Sequence, residues 1–210
     1  MLTDAKRYLL SLISEGEHQQ QDFKYKVADA LKLAKSVSAF ANTDGGRLLI
    51  GVRDDGHLSG VRSEEEIFMM QAAATNYCRP AVQVAFETFT VEKRQILIAS
   101  VERSTQRPIR ALCDDGRWRA YIRVADENIV ASPVHLRIWR AEQSPEGQFV
   151  SIGEEEERVM QVLSHEEPLT LQQVVRRSGV RRQHVIVILA RLVSFSLASC
   201  QLRGDRFVFT

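Results

Sequence analysis

Cysteine is scarce in this chain. Cys78, Cys113 and Cys200 are the three in 210 residues, and they stand far apart. No C-x-x-C and no Cys/His pair falls at zinc-ligand spacing, which argues against a structural zinc. An odd, scattered set also argues against a disulfide framework and for a reducing compartment. No apolar run approaches the length that spans a bilayer. The stretch Met1 to Leu12 carries Asp4, Lys6 and Arg7 among its apolar residues and does not read as a signal peptide. The reading is cytoplasmic, with no membrane partner. The phosphate-loop pattern G-x-x-x-x-G-K-[ST] is missing. Internal repeats and low-complexity segments are missing too. Net charge is only +1, so the charge of the whole chain says nothing about a polyanionic partner.

What is present is more specific. Residues 38–52 read S-A-F-A-N-T-D-G-G-R-L-L-I-G-V. Ser38 to Ala41 closes a helix that begins near Asp29. Asn42 to Gly46 is a turn, because Asn, Asp and Gly tolerate positive φ and end helices. Arg47 to Val52 is an apolar run of the length of a buried strand. Asn42, Gly45, Gly46 and Gly51 are read as structural residues, the glycines letting another strand or a ligand approach the backbone.

The remaining elements follow from periodicity and punctuation. Helices are predicted over 3–14, from the Ser63 cap for about fifteen residues with Glu66 completing a capping box, and from Ser132-Pro133 through Trp139. Strands are predicted over 22–27, 57–61, 82–90, 95–101, 108–112 and 118–124, with hairpin signals at Glu92-Lys93-Arg94 and Asp114-Asp115-Gly116. Residues 15–21 are read as irregular. This mixture fits an α+β domain, 1–140, with a largely antiparallel sheet and flanking helices. Residues 141–153 are polar, with Pro and Gly, and are read as a linker. Residues 154–210 then offer three helices and two strands, the pattern of a winged helix. The turn Ser178-Gly179-Val180 supplies the helix-turn-helix signal.

The words around residues 38–52 carry a resemblance. Upstream stands E-H-Q-Q-Q-D-F-K (Glu17 to Lys24), downstream G-V-R-D-D-G, and later A-Y-I-R-V (Ala120 to Val124). In this order they resemble the Schlafen-type AlbA domain, also called the divergent AAA domain, over roughly residues 10–140. The usual Glu of E-F-K is Asp22 here, one methylene shorter. The resemblance implies an AlbA-like fold and a nucleic-acid role. Eukaryotic Schlafen relatives that cleave RNA use three acids at matching places, which implies Glu17, Asp22 and Asp54 as a catalytic set holding Mg²⁺ or Mn²⁺. Turn formation alone also accounts for Asp54. Without that chemistry no cofactor is expected. ATP binding is implied only by the divergent-AAA label, and the Walker lysine is missing.

Candidate nucleic-acid contacts fall in two places. In the first domain they are Lys24, Arg47 and Arg123, with a solvated sheet edge as the plain alternative. Arg110, Arg117 and Arg119 interleave with Trp118 and Tyr121, which are read as core. In the second, residues 168–210 hold seven arginines against one acid, Asp205. The start of its third helix, Arg181-Arg182-Gln183-His184, occupies the part of a recognition helix that reaches base edges. Arg176, Arg177, Arg203 and Arg206 are placed to meet phosphates. The expectation is a non-enzymatic, duplex-DNA-binding transcriptional regulator. The alternative is a metal-dependent RNA- or nucleotide-processing enzyme. The sequence leaves a homodimer open.

Overall fold

The structure, a computed structural model, describes residues 4–27, 29–61, 64–144, 152–164 and 167–210. It divides into two compact units, Met1–Val130 and Ala131–Thr210.

The first unit runs α1 (Asp4–Glu15), β1 (Gln21–Lys24), α2 (Ala30–Asn42), β2 (Gly46–Ile50), α3 (Glu65–Thr75), β3 (Cys78–Arg79), β4 (Val84–Val91), β5 (Arg94–Val101), β6 (Arg110–Leu112), β7 (Trp118–Val124) and β8 (Glu127–Val130). It holds two four-stranded sheets, ordered β1-β2-β5-β4 and β3-β6-β7-β8. The β1–β2 pair is parallel and every other pair is antiparallel. The chain is thus α+β, as read, but with two sheets. The predicted strand over 57–61 is reduced to a single bridge between Val52 and Leu58. The Ser63 cap lies outside the described residues.

Helix α2 explains the two sheets. Asp29 caps it, accepting from the Leu31 and Lys32 amides at 3.0 and 3.3 Å. Its second half, Ser36 to Asn42, is buried without a break. A helix buried all round must be covered on every side. Its small residues, Ala34, Ala39 and Ala41, let both sheets come close. Phe40 packs under the first turn of β2, where a Cβ on Gly46 would stand 2.3 Å from its ring. Gly45 has φ +72°, and a Cβ there would stand 2.9 Å from the Val101 carbonyl oxygen. The motif glycines therefore serve packing of helix on strand. On the far face of the first sheet, Leu9 and Leu12 of α1 cover Phe23, Leu49, Ile96 and Ile98.

The second sheet is attached through hydrogen bonds from polar side chains. Along one edge of β7 the backbone groups of Tyr121, Arg123 and Ala125 face away from β8. The Tyr121 amide donates to Ser38 Oγ at 3.1 Å, and the Tyr121 carbonyl accepts from Asn42 Nδ2 at 2.9 Å. The Arg123 amide donates to Thr43 Oγ1 at 2.9 Å. The Arg123 carbonyl accepts from Gln19 Nε2 at 2.8 Å, and Gln19 Oε1 accepts from the Ala125 amide at 2.9 Å. Ser38 and Asn42 also serve Ile109: its carbonyl accepts from both at 2.8 Å, and its amide donates to Asn42 Oδ1 at 2.7 Å. Side chains of the S-A-F-A-N-T word thus stand where a neighbouring strand would stand. Residues 15–21, read as irregular, contribute Gln19 to the same row.

The second unit contains α4 (Pro133–Glu142), α5 (Glu154–Leu163), β9 (Leu169–Thr170), α6 (Leu171–Ser178), α7 (Arg182–Ser194), β10 (Cys200–Arg203) and β11 (Arg206–Phe209). The strands form a three-stranded antiparallel sheet, β10-β11-β9. The order is helix, helix, short strand, helix, helix, hairpin. Strand β9 is too short to show in the sequence pattern. The sequence reading places α4 in the first domain. In the structure its Val134 lies in one core with Val159, Val174, Leu189 and Phe209, and Ile138 packs against it. The division therefore falls between Val130 and Ala131. Most of the linker read at 141–153 lies outside the described residues.

Two measurements check these accounts. Replacing Asn42 with Leu keeps the volume but strands Ile109 N and Tyr121 O. Each buried group left without a partner costs about 1–3 kcal/mol. A loss of about 3 kcal/mol in urea unfolding is expected, and a loss under about 1 kcal/mol would mean that the row of side chains is not structural. The second concerns His135, which packs against the Phe207 ring at 4.8 Å. Burial pushes its imidazole from 6.5 down to about 4. The unfolded chain takes up that proton near 6.5 while the folded one refuses it, so stability is lost as pH falls from 6.5 towards 4. Melting followed through Trp139 should show that loss, and His135→Gln should remove most of it. A parent melting temperature that stays flat across the window would refute the assignment.

Candidate nucleic-acid interface

The two upstream acids meet at the end of β1. Asp22 is buried, opposite Leu48 in the parallel register with β2. The Glu17 carboxyl accepts from the Phe23 amide at 2.8 Å and hydrogen-bonds to the Asp22 carboxyl. Burial first, and the Asp22 hydrogen bond second, raise the Glu17 carboxyl above its ordinary range. Lys24 folds back along its own strand. Its ammonium lies 2.6 Å from Asp22 Oδ2 and donates to the Phe23 carbonyl at 2.9 Å. Arg123 approaches Asp22 Oδ1 at 3.6 Å from the other sheet.

This arrangement corrects the expectation for the acids. Glu17 and Asp22 come together, but Asp54 does not join them. It stands exposed in the turn closed by the Gly56 amide on the Arg53 carbonyl. Among the described residues, no three His, Cys, Asp or Glu side chains converge on a point where a metal could sit. The charge of Asp22 is met by Lys24 and Arg123 instead.

Three basic residues read as nucleic-acid contacts have partners within the protein. Arg123 has only 2% of its surface exposed. It donates to Asn128 Oδ1 at 3.1 Å and to the Gln21 carbonyl at 3.2 Å, with its guanidinium 5.2 Å from the Phe40 ring centre. Arg47 donates to Gln21 Oε1 and Glu15 Oε2, both at 2.7 Å. With Lys24 held on Asp22, all three are committed to joining α1, β1 and β7. Trp118, read as core, is only partly covered. Arg79, which sequence reasoning did not single out, stacks over its ring at 4.2 Å.

The second unit presents its arginines differently. Val185, Ile188, Leu189 and Leu192 are buried, which fixes one side of α7. Arg181, Arg182, Gln183 and His184 at its start are all exposed. Arg181 is the N-cap residue, and no side chain caps the helix. The first-turn amides and the positive end of the helix dipole therefore face solvent beside two guanidinium groups. Gly179, at φ +66° with the left-handed conformation, ends α6 and turns the chain into α7. Arg176 is exposed and Arg177 lies 3.7 Å from Glu167. In the β10–β11 hairpin, Arg203 and Arg206 are exposed cross-strand partners around Gly204 and Asp205, with Arg206 3.6 Å from Asp205. His184 is the exception within this surface. Its Nδ1 lies 2.7 Å from Glu155 Oε2 of α5. The acidic run Glu154 to Glu157 is the sequence signal for that tie.

The Glu17 carboxyl offers a titration test. The unfolded chain ionises it near 4.5, whereas the folded chain keeps its proton to higher pH, so its contribution to stability falls as pH rises through that interval. Glu17→Gln keeps an acceptor for Phe23 and carries no charge. The variant should gain on the parent as pH rises above 4.5. A stability difference that does not change with pH would refute the raised Glu17 carboxyl.

Comparison with known proteins agrees with the first unit. None of the curated proteins matches the chain. Among solved structures, the crystal structure of the DIP2311 protein from Corynebacterium diphtheriae aligns with 90% of this chain at 18% identity and a TM-score of 0.47. The chain spans about a third of that protein's length, 34%. The model of the family described as Schlafen, AlbA_2 matches residues 17–132, more than half of the chain. The chain belongs to the Schlafen AlbA_2 family.

Proposed function

We propose that this protein is a non-enzymatic regulator that reads duplex DNA with α7 of its winged helix. The observation that carries the reading is the start of that helix. Arg181, Arg182 and Gln183 are exposed on an uncapped N-terminus whose opposite side is locked into the core. An α-helix of this kind fits the major groove, where Arg pairs with guanine and Gln with adenine. Arg176 on α6 and Arg203 and Arg206 on the wing flank it and suit phosphate contacts. Membership of the AlbA_2 family, which is associated with nucleic acids, supports the same class of partner.

The nuclease alternative has less support. Its three acids do not assemble, and buried Asp22 is occupied by Lys24 and Arg123.

Replacing Arg181 and Arg182 together with Ala is expected to weaken binding to duplex DNA. It should also flatten the salt dependence by about one unit of slope per lost phosphate contact. Fluorescence anisotropy across a salt series measures both. A double variant that binds as the parent does at every salt concentration would move the reader away from α7. A parent that binds no duplex would recast the winged helix as a protein-interaction module.

A further inference from the structure

We infer that the outer face of the β3-β6-β7 sheet is a second nucleic-acid contact, one that takes a single strand, with Arg79 and Arg110 on the phosphates and Trp118 under a base. The inference is independent of α7 and uses residues that neither the fold nor the winged helix requires.

The register places the residues. Arg79 of β3 is directly opposite Arg110 of β6, and Arg110 is directly opposite Ala120 of β7. Leu112 is opposite Trp118. Directly opposed residues share a face and alternate residues along a strand return to it. Arg79, Arg110, Ala120 and Trp118 therefore lie on one face. Ser38, Asn42 and Thr43 dock on the edge of β7, and the Tyr121 and Arg123 side chains occupy the other face.

Two observations make this face unusual. Like charges directly opposite in a sheet destabilise it. Among the described residues, neither Arg79 nor Arg110 has an acidic partner, while nearby Arg119 and Arg117 share Asp115, and Lys35 holds Asp114. The local acids are thus spent elsewhere, and the repulsion across β3–β6 is left in place. A local rule broken with no ion pair to offset it points to a site selected for something other than stability. The second observation is Trp118. Its ring is covered by the Arg79 guanidinium at 4.2 Å, and Arg79 itself is exposed. A cation–π contact at such a site is worth about 0.5–1 kcal/mol. Stacking of a base on an aromatic ring is worth about 1–3 kcal/mol. A base can displace the guanidinium from the ring, and the released Arg79 then meets the adjoining phosphate beside Arg110.

The Trp118 ring decides between single strand and duplex. A base can lie on it only when free of its neighbours, and the bases of a duplex are stacked on one another. Bases of a single strand are free to lie on a sheet, which is how stacking platforms work.

The test uses the full chain with a labelled twelve-nucleotide oligothymidylate, and the same strand annealed to its complement. The parent should bind the single strand with quenching of Trp118 fluorescence; Trp139, the other tryptophan, is buried and should not respond. Arg79→Ala with Arg110→Ala should weaken single-strand binding at least tenfold and lower its salt slope by about 0.7 per lost contact. Arg79→Lys with Arg110→Lys, which keeps both charges, should stay within about threefold of the parent and guards against a folding defect. Both variants should bind duplex as the parent does, whereas the Arg181 and Arg182 variant should lose duplex and keep single strand. Failure of α7 as a reader and failure of this face are thereby separated. Unchanged single-strand affinity in the Ala variant would overturn the inference. So would a parent that does not bind the single strand, or that binds it without Trp118 quenching.

Discussion

The first unit depends on how the free edge of β7 is satisfied. A strand edge exposes alternate amides and carbonyls, and buried backbone groups must find partners. Here Ser38, Asn42, Thr43 and Gln19 supply them in sequence order along the strand. The solution fixes the position of α2 to within hydrogen-bonding tolerance, because three of the four residues lie on its last turns or its cap. It also separates β6 from β7 at Ile109, where Ser38 and Asn42 enter between the strands. Two sheets can therefore share one helix without merging into a single larger sheet.

The buried charges reinforce the same joint. Asp22 belongs to the first sheet and Arg123 to the second, and each is almost fully buried. Breaking such a pair by removing one member leaves an uncompensated charge, which is far worse than losing both. Glu17, whose carboxyl is raised above its ordinary range first by burial, joins Asp22 at this joint. The acid-and-lysine word that signals the family is, in this chain, the clasp between two sheets. That reading also explains why a shorter acid is tolerated at position 22. Asp22 faces Lys24 on its own strand and has no metal ligand set to complete.

Much of the fold was legible because periodicity and caps report backbone geometry directly. The helix from Asp29, the strand from Arg47 and the helices α5, α6 and α7 of the second unit follow from such signals. The failures have physical causes. α4 carries a good cap and an apolar face, but a sequence pattern cannot say which core that face will join, and Val134 joined the second. β3 and β9 are two residues long, below the length at which alternation can be seen. Arg47 and Arg123 look like any surface arginines in a sequence. Only the structure shows Glu15, Gln21 and Asn128 converging on them from distant positions. The arginines of α7 were legible as exposed because the apolar positions Val185, Ile188, Leu189 and Leu192 fix the opposite side of the same helix.

The closed edge of β7 has a consequence for self-association. Strand edges are templates on which other chains can add, and proteins guard them. Side chains from α2 guard β7 as fully as a strand would, yet they offer no edge of their own for the next strand. The edge of the other sheet at β4 is different. β4 is an eight-residue edge strand, and it carries exposed Glu87 in its middle. A second copy adding antiparallel about that point would bring two carboxylates face to face. Amyloid-type growth is thus discouraged by occupation at β7 and by charge at β4.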